Sequence, residues 1–389
     1  MLYNLFDKSN SDLKYGLSGL ATAPIGYLVL LFLPVYLEVV GINLSLTDQQ
    51  IGWLASTDSI GLALATFVFS VYIKKLNFRT VLFVGVAITV VGNLLSALIQ
   101  DFLVLCLVRA ITGLGEGMIV AVGISALGMT KNPNRWFGFY TAAMVVVQAI
   151  GLVLVPIIYD HYLLSGVFVG MALFYLLPLA VIKLLPCKSN DYYVEEDTAR
   201  PKSEPPKKLL NLALISLLFC YIGVSGAWAY MSLMGTSVGL TLSFVSQALA
   251  LSMVAGLLGA IFFALIGDMS KKIALMLISL ILMALSLWGL DSNLTELRYL
   301  IALCVFAFFW SIASARISAA ISDVDHSGKY ISAAQTVLGF AYILGPIIAS
   351  TLVQDSGYTK VIMMGSVLFG LCFIFLLPLA RFKTINLAK

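Results

Sequence analysis

FLVLCLVRAITGLGEGMIVAVGISALGM, residues 102–129, is apolar on every side of a helix apart from two charged residues, Arg109 and Glu116. A helix of more than about 20 such residues is roughly 30 Å long, the thickness of a lipid hydrocarbon core. A helix on the surface of a water-soluble protein would keep one polar face, and this run has none. The solvent it implies is lipid. An ionised side chain there costs at least a few kcal/mol, which makes Arg109 and Glu116 functional candidates.

The pattern repeats along the chain. Comparable runs lie near residues 17–40, 51–73, 80–100, 137–159, 162–185, 210–235, 243–267, 273–290, 297–321, 330–353 and 361–381, so twelve spans are expected. Of the 389 residues, 61% are hydrophobic and 11% charged, against roughly 25% charged in soluble chains. Barrel strands would alternate apolar and polar residues over about ten positions. These runs do not, and the expected fold class is all-α integral membrane. Cys106, Cys187, Cys220, Cys304 and Cys372 show no CxxC or Cys/His spacing and read as core filler. No metal and no other cofactor is expected. The N-terminal stretch, with Asp7 and Asp12, lacks the form of a removable signal peptide, so the first run is expected to stay.

The net charge of +4 is spread between the runs and makes no contiguous basic face, which excludes nucleic acid as an expected partner. The charge reports orientation, because cytoplasmic loops retain Lys and Arg. Of the 23 Lys and Arg residues, Arg109 and Arg316 lie inside runs and Arg298 and Lys360 in outer loops. All the others fall on one side if both termini are cytoplasmic. A multi-pass protein of the cell (inner) membrane is expected, with the lipid bilayer as its surroundings and a monomer as its unit.

CKSNDYYVEEDTARPKSEPPKK, residues 187–208, is the longest polar stretch and reads as a cytoplasmic linker between two halves, 1–186 and 209–389, of six runs each. The halves resemble each other. YTAAMVVVQAIGLVLVPII (140–158) and YISAAQTVLGFAYILGPII (330–348) share their Tyr-to-Pro spacing, and Lys74-Lys75 after the second run matches Lys271-Lys272 after the eighth. VYLEVVG (35–41) likewise faces AYMSLMG (229–235). A parallel six-plus-six repeat explains these echoes.

So organised, the chain resembles the major facilitator superfamily over essentially its whole length. LSLTDQQIGWL (44–54) looks like the family's entry into its second helix, and Arg109-x-x-x-Gly113-x-Gly115 matches its fourth-helix pattern. The loop signature GxxxDRxGRR is eroded to Ser70-VYI-Lys74-Lys75-Leu76-Asn77-Phe78-Arg79, whereas Gly267-Asp268-Met269-Ser270-Lys271-Lys272 retains the acid and the basic pair. The GPxxGG-like ending that marks antiporters in the fifth helix is reduced to Gly151 and Pro156. The resemblance implies two pseudo-symmetric six-helix bundles, alternating access, a cavity lined by the first, fourth, seventh and tenth helices, and gating by Asp268, Lys271 and Lys272.

Four ionisable residues sit deep in runs: Asp58, Arg109, Glu116 and Arg316. Asp58 and Arg109 lie at similar depth from the outer face and could pair, either as a static brace or with Asp58 changing protonation during transport. Glu116 follows Arg109 by seven residues, on the same helix face. Arg316 is at comparable depth in the other half, where it could hold substrate with Glu116 or extend its charge to the cytoplasmic surface. Tyr27, Tyr221 and Trp228 are aromatic candidates for a solute site; Gln148 and Gln335 are hydrogen-bonding candidates that equally suit bridging between helices. The glycines at 113, 115 and 117 fit close helix packing, and no GxxxxGK[ST] loop for nucleotide occurs.

The expected function is secondary active transport of a small-molecule substrate, such as an organic anion or other metabolite, coupled through Asp58 and Glu116 to a proton or other ion. Drug or metabolite efflux is an alternative, as is a non-transporting sensor on a transporter fold. Neither His161 nor His326 belongs to an HExxH or GxSxG-type pattern, and an enzyme is not expected. Reporter fusions within 187–208 should report the same membrane side as fusions to either terminus; opposite sides would break the topology.

Overall fold

The computed structural model describes residues 2–187, 207–266, 272–291, 294–322, 329–353 and 357–387. Among these residues there is no strand, as the all-apolar runs require. The helices are α1 (Leu2–Gly26), α2 (Leu28–Leu31), α3 (Leu33–Leu44), α4 (Asp48–Tyr72), α5 (Phe78–Ser96), α6 (Phe102–Gly128), α7 (Pro133–Phe174), a 3-10 helix (Leu177–Leu184), α8 (Lys207–Thr236), α9 (Leu242–Ile266), α10 (Lys272–Trp288), α11 (Glu296–Ser322), α12 (Lys329–Val353) and α13 (Thr359–Leu387). Nine helical segments among the described residues are long and apolar enough to cross a membrane.

Two local backbone features mark how the twelve expected runs correspond to these helices. The first run is broken into α1, α2 and α3 at Tyr27 and Phe32, whose backbones leave the helical region near Pro24 and Pro34. Proline removes a donor and crowds the preceding turn. The fifth and sixth runs meet at a kink: the backbone leaves the helical region at Leu163 (φ 56°, ψ −163°), so α7 is two helices joined there. α1 extends beyond the apolar run at its N-terminal end, back to Leu2.

Sequence signals set the helix starts. Thr47 and Gln50 form a reciprocal cap ahead of α4: the Thr47 amide donates to Gln50 Oε1 at 2.9 Å and the Gln50 amide to Thr47 Oγ1 at 3.3 Å. Asn77 caps α5 by accepting from the amides of Arg79 and Thr80, and Asp101 caps α6 by accepting from Val104 at 2.9 Å.

The chain divides into two compact units, Met1–Leu46 with Thr57–Glu196, and Thr47–Ser56 with Asp197–Lys389. In the first, α6 is central, packed against α1 and α5. Its glycines permit the approach. A methyl group on Gly113 would strike the Asp58 carbonyl of α4, one on Gly117 the Leu62 carbonyl, and one on Gly115 the Gly85 carbonyl of α5. In the second unit α8 packs on α12 and α13, and α9 on α11. Ser225 Oγ donates to the Ala341 carbonyl at 2.9 Å, Ser216 Oγ to that of Cys372 at 2.7 Å, and Tyr299 Oη to that of Met231 at 2.8 Å. Such side-chain to backbone bonds join helices where lipid offers no hydrophobic drive.

Gly113→Val should destabilise the protein by about 1–3 kcal/mol through overpacking. Gly138→Ala, whose added methyl meets nothing within 4 Å, should cost nothing. Thermal unfolding of detergent-purified variants checks the contrast; equal effects would contradict it.

Candidate functional site

The glycine-mediated approach of α4 to α6 has a direct electrostatic result. Asp58 on α4 meets Arg109 on α6, Nη2 to Oδ1 at 2.6 Å and Nε to Oδ2 at 3.2 Å, a two-pronged ion pair. From the same guanidinium, Nη1 donates to Asn93 Oδ1 on α5 at 3.0 Å, and Nη2 donates to Glu116 Oε1, two turns along α6, at 3.2 Å. Asn93 is held in the accepting orientation because its own amide nitrogen donates to the Thr89 carbonyl at 2.8 Å. Tyr175, the residue that ends α7, donates its hydroxyl to Glu116 Oε1 at 2.8 Å.

Aromatic rings close the cluster. The Arg109 guanidinium carbon lies 5.8 Å from the centroid of the Tyr36 ring on α3 and 5.9 Å from that of Phe168 on α7. Those two rings contact each other edge to face, 6.1 Å apart. Arg109 and Glu116 are 0% exposed and Asp58 1%. Asp58 Oδ1, Glu116 Oε2 and Tyr36 Oη are buried with no hydrogen-bond partner among the described residues, Asp58 Oδ1 being in ion-pair contact with Arg109. One guanidinium thus faces two carboxyl groups in a site closed to water, and the charges do not balance unless a proton or another cation joins them.

The other sequence candidates lie elsewhere. Tyr27 is half-buried at the break between α1 and α2. Gln148 on α7 donates to the Leu31 carbonyl at 2.8 Å and so serves the backbone at the second break, a helix-bridging use. In the second unit Tyr221 is buried on α8 against the Tyr342 ring of α12, 6.0 Å away, and Trp228 is half-buried on the same helix. Arg316 is half-buried, with its guanidinium 5.9 Å from the Phe263 ring of α9. Gln335 is on α12, but its side chain lies outside the described residues, as do Asp268 and Lys271 entirely and the side chain of Lys272. Asn93, Tyr175, Tyr36 and Phe168 are site residues that sequence reasoning missed. For Asn93 a signal existed, a lone carboxamide in an apolar run.

Comparisons with known proteins agree with this architecture. A family model described as Major Facilitator Superfamily matches residues 17–212 and again 213–388, once per half. A Bacillus subtilis (strain 168) protein described as an uncharacterized MFS-type transporter, YceJ, is 24% identical over 220 residues, 54% of this chain and 55% of that protein. The match therefore spans about half of that relative's length. Among solved structures, the nucleoside transporter NupG superposes with a TM-score of 0.68 at 14% identity, covering 96% of this chain and 98% of that one. Tetrameric PepTSo2 gives 0.71 at 14% identity over 98% and 99% of the two chains.

Arg109→Ala should lower stability by about 3–5 kcal/mol, because it strands two buried carboxyl groups. Adding Asp58→Asn to it should restore part of the loss. Denaturant or thermal unfolding of the purified proteins measures this, and losses that simply add would contradict the pairing.

Proposed function

The chain belongs to the major facilitator superfamily, and on that premise we propose that it is a proton-coupled secondary transporter of a small solute, working by alternating access. The observation that carries the reading is the enclosed Asp58–Arg109–Glu116 cluster, with one fixed cation and two carboxyl groups. Arg109 stays charged throughout. The exchangeable charge therefore belongs to the carboxyl groups, and one proton balances the cluster.

Glu116 is the group we assign to carry that proton. Its Oε1 is engaged by Arg109 and Tyr175 while its Oε2 has no partner among the described residues, which leaves a place for hydrogen. Asp58 makes the closer ion pair with Arg109, Oδ1 lying 2.6 Å from Nη2 without a hydrogen bond and Oδ2 accepting from Nε at 3.2 Å, and we assign it as the fixed counterion. Moving a proton on or off Glu116 changes the net charge of a water-free site, which biases how α3, α4, α5, α6 and α7 pack around it. Arg109 and Glu116 are thereby given a coupling role in the first unit. Direct contacts with solute are assigned to side chains outside the cluster, Tyr221 and Trp228 among them.

No nucleotide-binding loop occurs in the sequence, and a proton gradient is the energy source this reading names. The same reading places the protein in the cell's inner membrane with both termini on the cytoplasmic side, where its Lys and Arg collect.

In proteoliposomes, counterflow against pooled metabolites at two pH values should identify a solute. Glu116→Gln should then keep exchange but lose accumulation driven by a pH gradient, and Arg109→Ala should lose both. Gradient-driven accumulation at the wild-type level by Glu116→Gln would defeat the assignment.

A further inference from the structure

Two of the cysteines expected as core filler are brought to one place in the second unit. Cys220 on α8 and Cys372 on α13 are both free thiols and fully buried. The register of the two helices sets them opposite each other. Ser216 Oγ donates to the Cys372 carbonyl at 2.7 Å and lies 3.2 Å from the Cys372 sulfur. Two turns further along α8, a methyl group on Gly223 would strike the Phe369 ring at 2.9 Å. Cys220 falls between Ser216 and Gly223 on one helical stripe, and Phe369 and Cys372 span a single turn of α13. α8 therefore presents Cys220 to the turn that carries Cys372. With its hydrogen committed to the carbonyl, the Ser216 oxygen accepts the Cys372 S–H, which holds that sulfur in place.

Access to the pair is restricted in a way that selects its chemistry. Cys220 is about 20 Å along α8 from Lys207, and Cys372 about 20 Å along α13 from Thr359. Both sulfurs thus lie within a hydrocarbon layer about 30 Å thick. A charged reagent is kept out by the cost of entering that layer. A thiol in such surroundings stays protonated and reacts slowly. What sets this pair apart is that an oxidised sulfur meets a second thiol at once. Cys106, Cys187 and Cys304 are on other elements, α6, the end of the 3-10 helix and α11.

We infer that Cys220 and Cys372 form a modification site, a dithiol that a small uncharged peroxide converts into a disulfide tying α8 to α13. One sulfur attacks the peroxide and the O–O bond breaks; that sulfur becomes a sulfenic acid, and the other oxygen leaves as water with the thiol proton. The second sulfur attacks the sulfenic sulfur, the S–S bond forms, and the hydroxyl leaves as water with the second thiol proton. Two electrons pass from the sulfurs to the peroxide, and hydrogen peroxide becomes two waters. The site so built responds to an oxidant dissolved in the membrane itself. It is independent of the solute and proton assignments.

The test treats the purified full chain in lipid nanodiscs with hydrogen peroxide or with tetrathionate, a doubly charged thiol oxidant. Remaining thiols are blocked, and peptides are compared by mass spectrometry with and without reductant. Peroxide should yield over hours a linked peptide containing Cys220 and Cys372 that reduction removes, and tetrathionate should yield at least about tenfold less of it. Cys220→Ala should abolish the link and leave a sulfenic acid at Cys372 for a sulfenic-acid trap to label, while Cys304→Ala should leave the yield unchanged. The wild-type comparison needs no variant, so it stands even where Cys220→Ala folds poorly. No linked peptide, a link through Cys106, Cys187 or Cys304 in its place, or equal yields from the two oxidants overturns the inference.

Discussion

A single guanidinium organises the first unit. Arg109 touches side chains from α3, α4, α5 and α7 and a second residue of its own helix, through an ion pair, two further hydrogen bonds and two aromatic faces. The planar, always-charged group is suited to this because its donors point outward in a fixed fork. Inside a lipid-embedded unit no water can replace any of those partners, so each element must present the right atom at the right depth. The packing of the bundle follows from that demand as much as from apolar contact.

The glycines are the means of meeting it. Gly61, Gly113 and Gly117 bring the backbones of α4 and α6 close enough for Asp58 to reach Arg109, and Gly85 with Gly115 does the same for α5 and Asn93. A larger residue at Gly113 or Gly117 would separate the pair and leave charges unpaired in a medium of low dielectric, which multiplies a steric cost by an electrostatic one.

Much of this was legible in the sequence. The lipid solvent, the all-α class and the family resemblance follow from runs such as 102–129, and Asp58, Arg109 and Glu116 were conspicuous as ions where ions are expensive. What escaped was partnership. Asn93 and Tyr175 contact the cluster through helix crossings that hydropathy does not encode. Helix continuity was misread at one place: the first run is broken near Pro24 and Pro34. Local backbone geometry decided that point, and a window of hydropathy averages over it.

The central claim is that the cluster of one guanidinium and two carboxyl groups carries one proton, on Glu116. Infrared difference spectroscopy of the purified protein reads this directly, through the carbonyl stretch of a carboxylic acid shielded from water. The account predicts one such band in the wild type that disappears in Glu116→Gln, and that disappears also in Asp58→Asn, where Arg109 alone balances an ionised Glu116. A spectrum with no such band, or one that Glu116→Gln leaves unchanged, would contradict it.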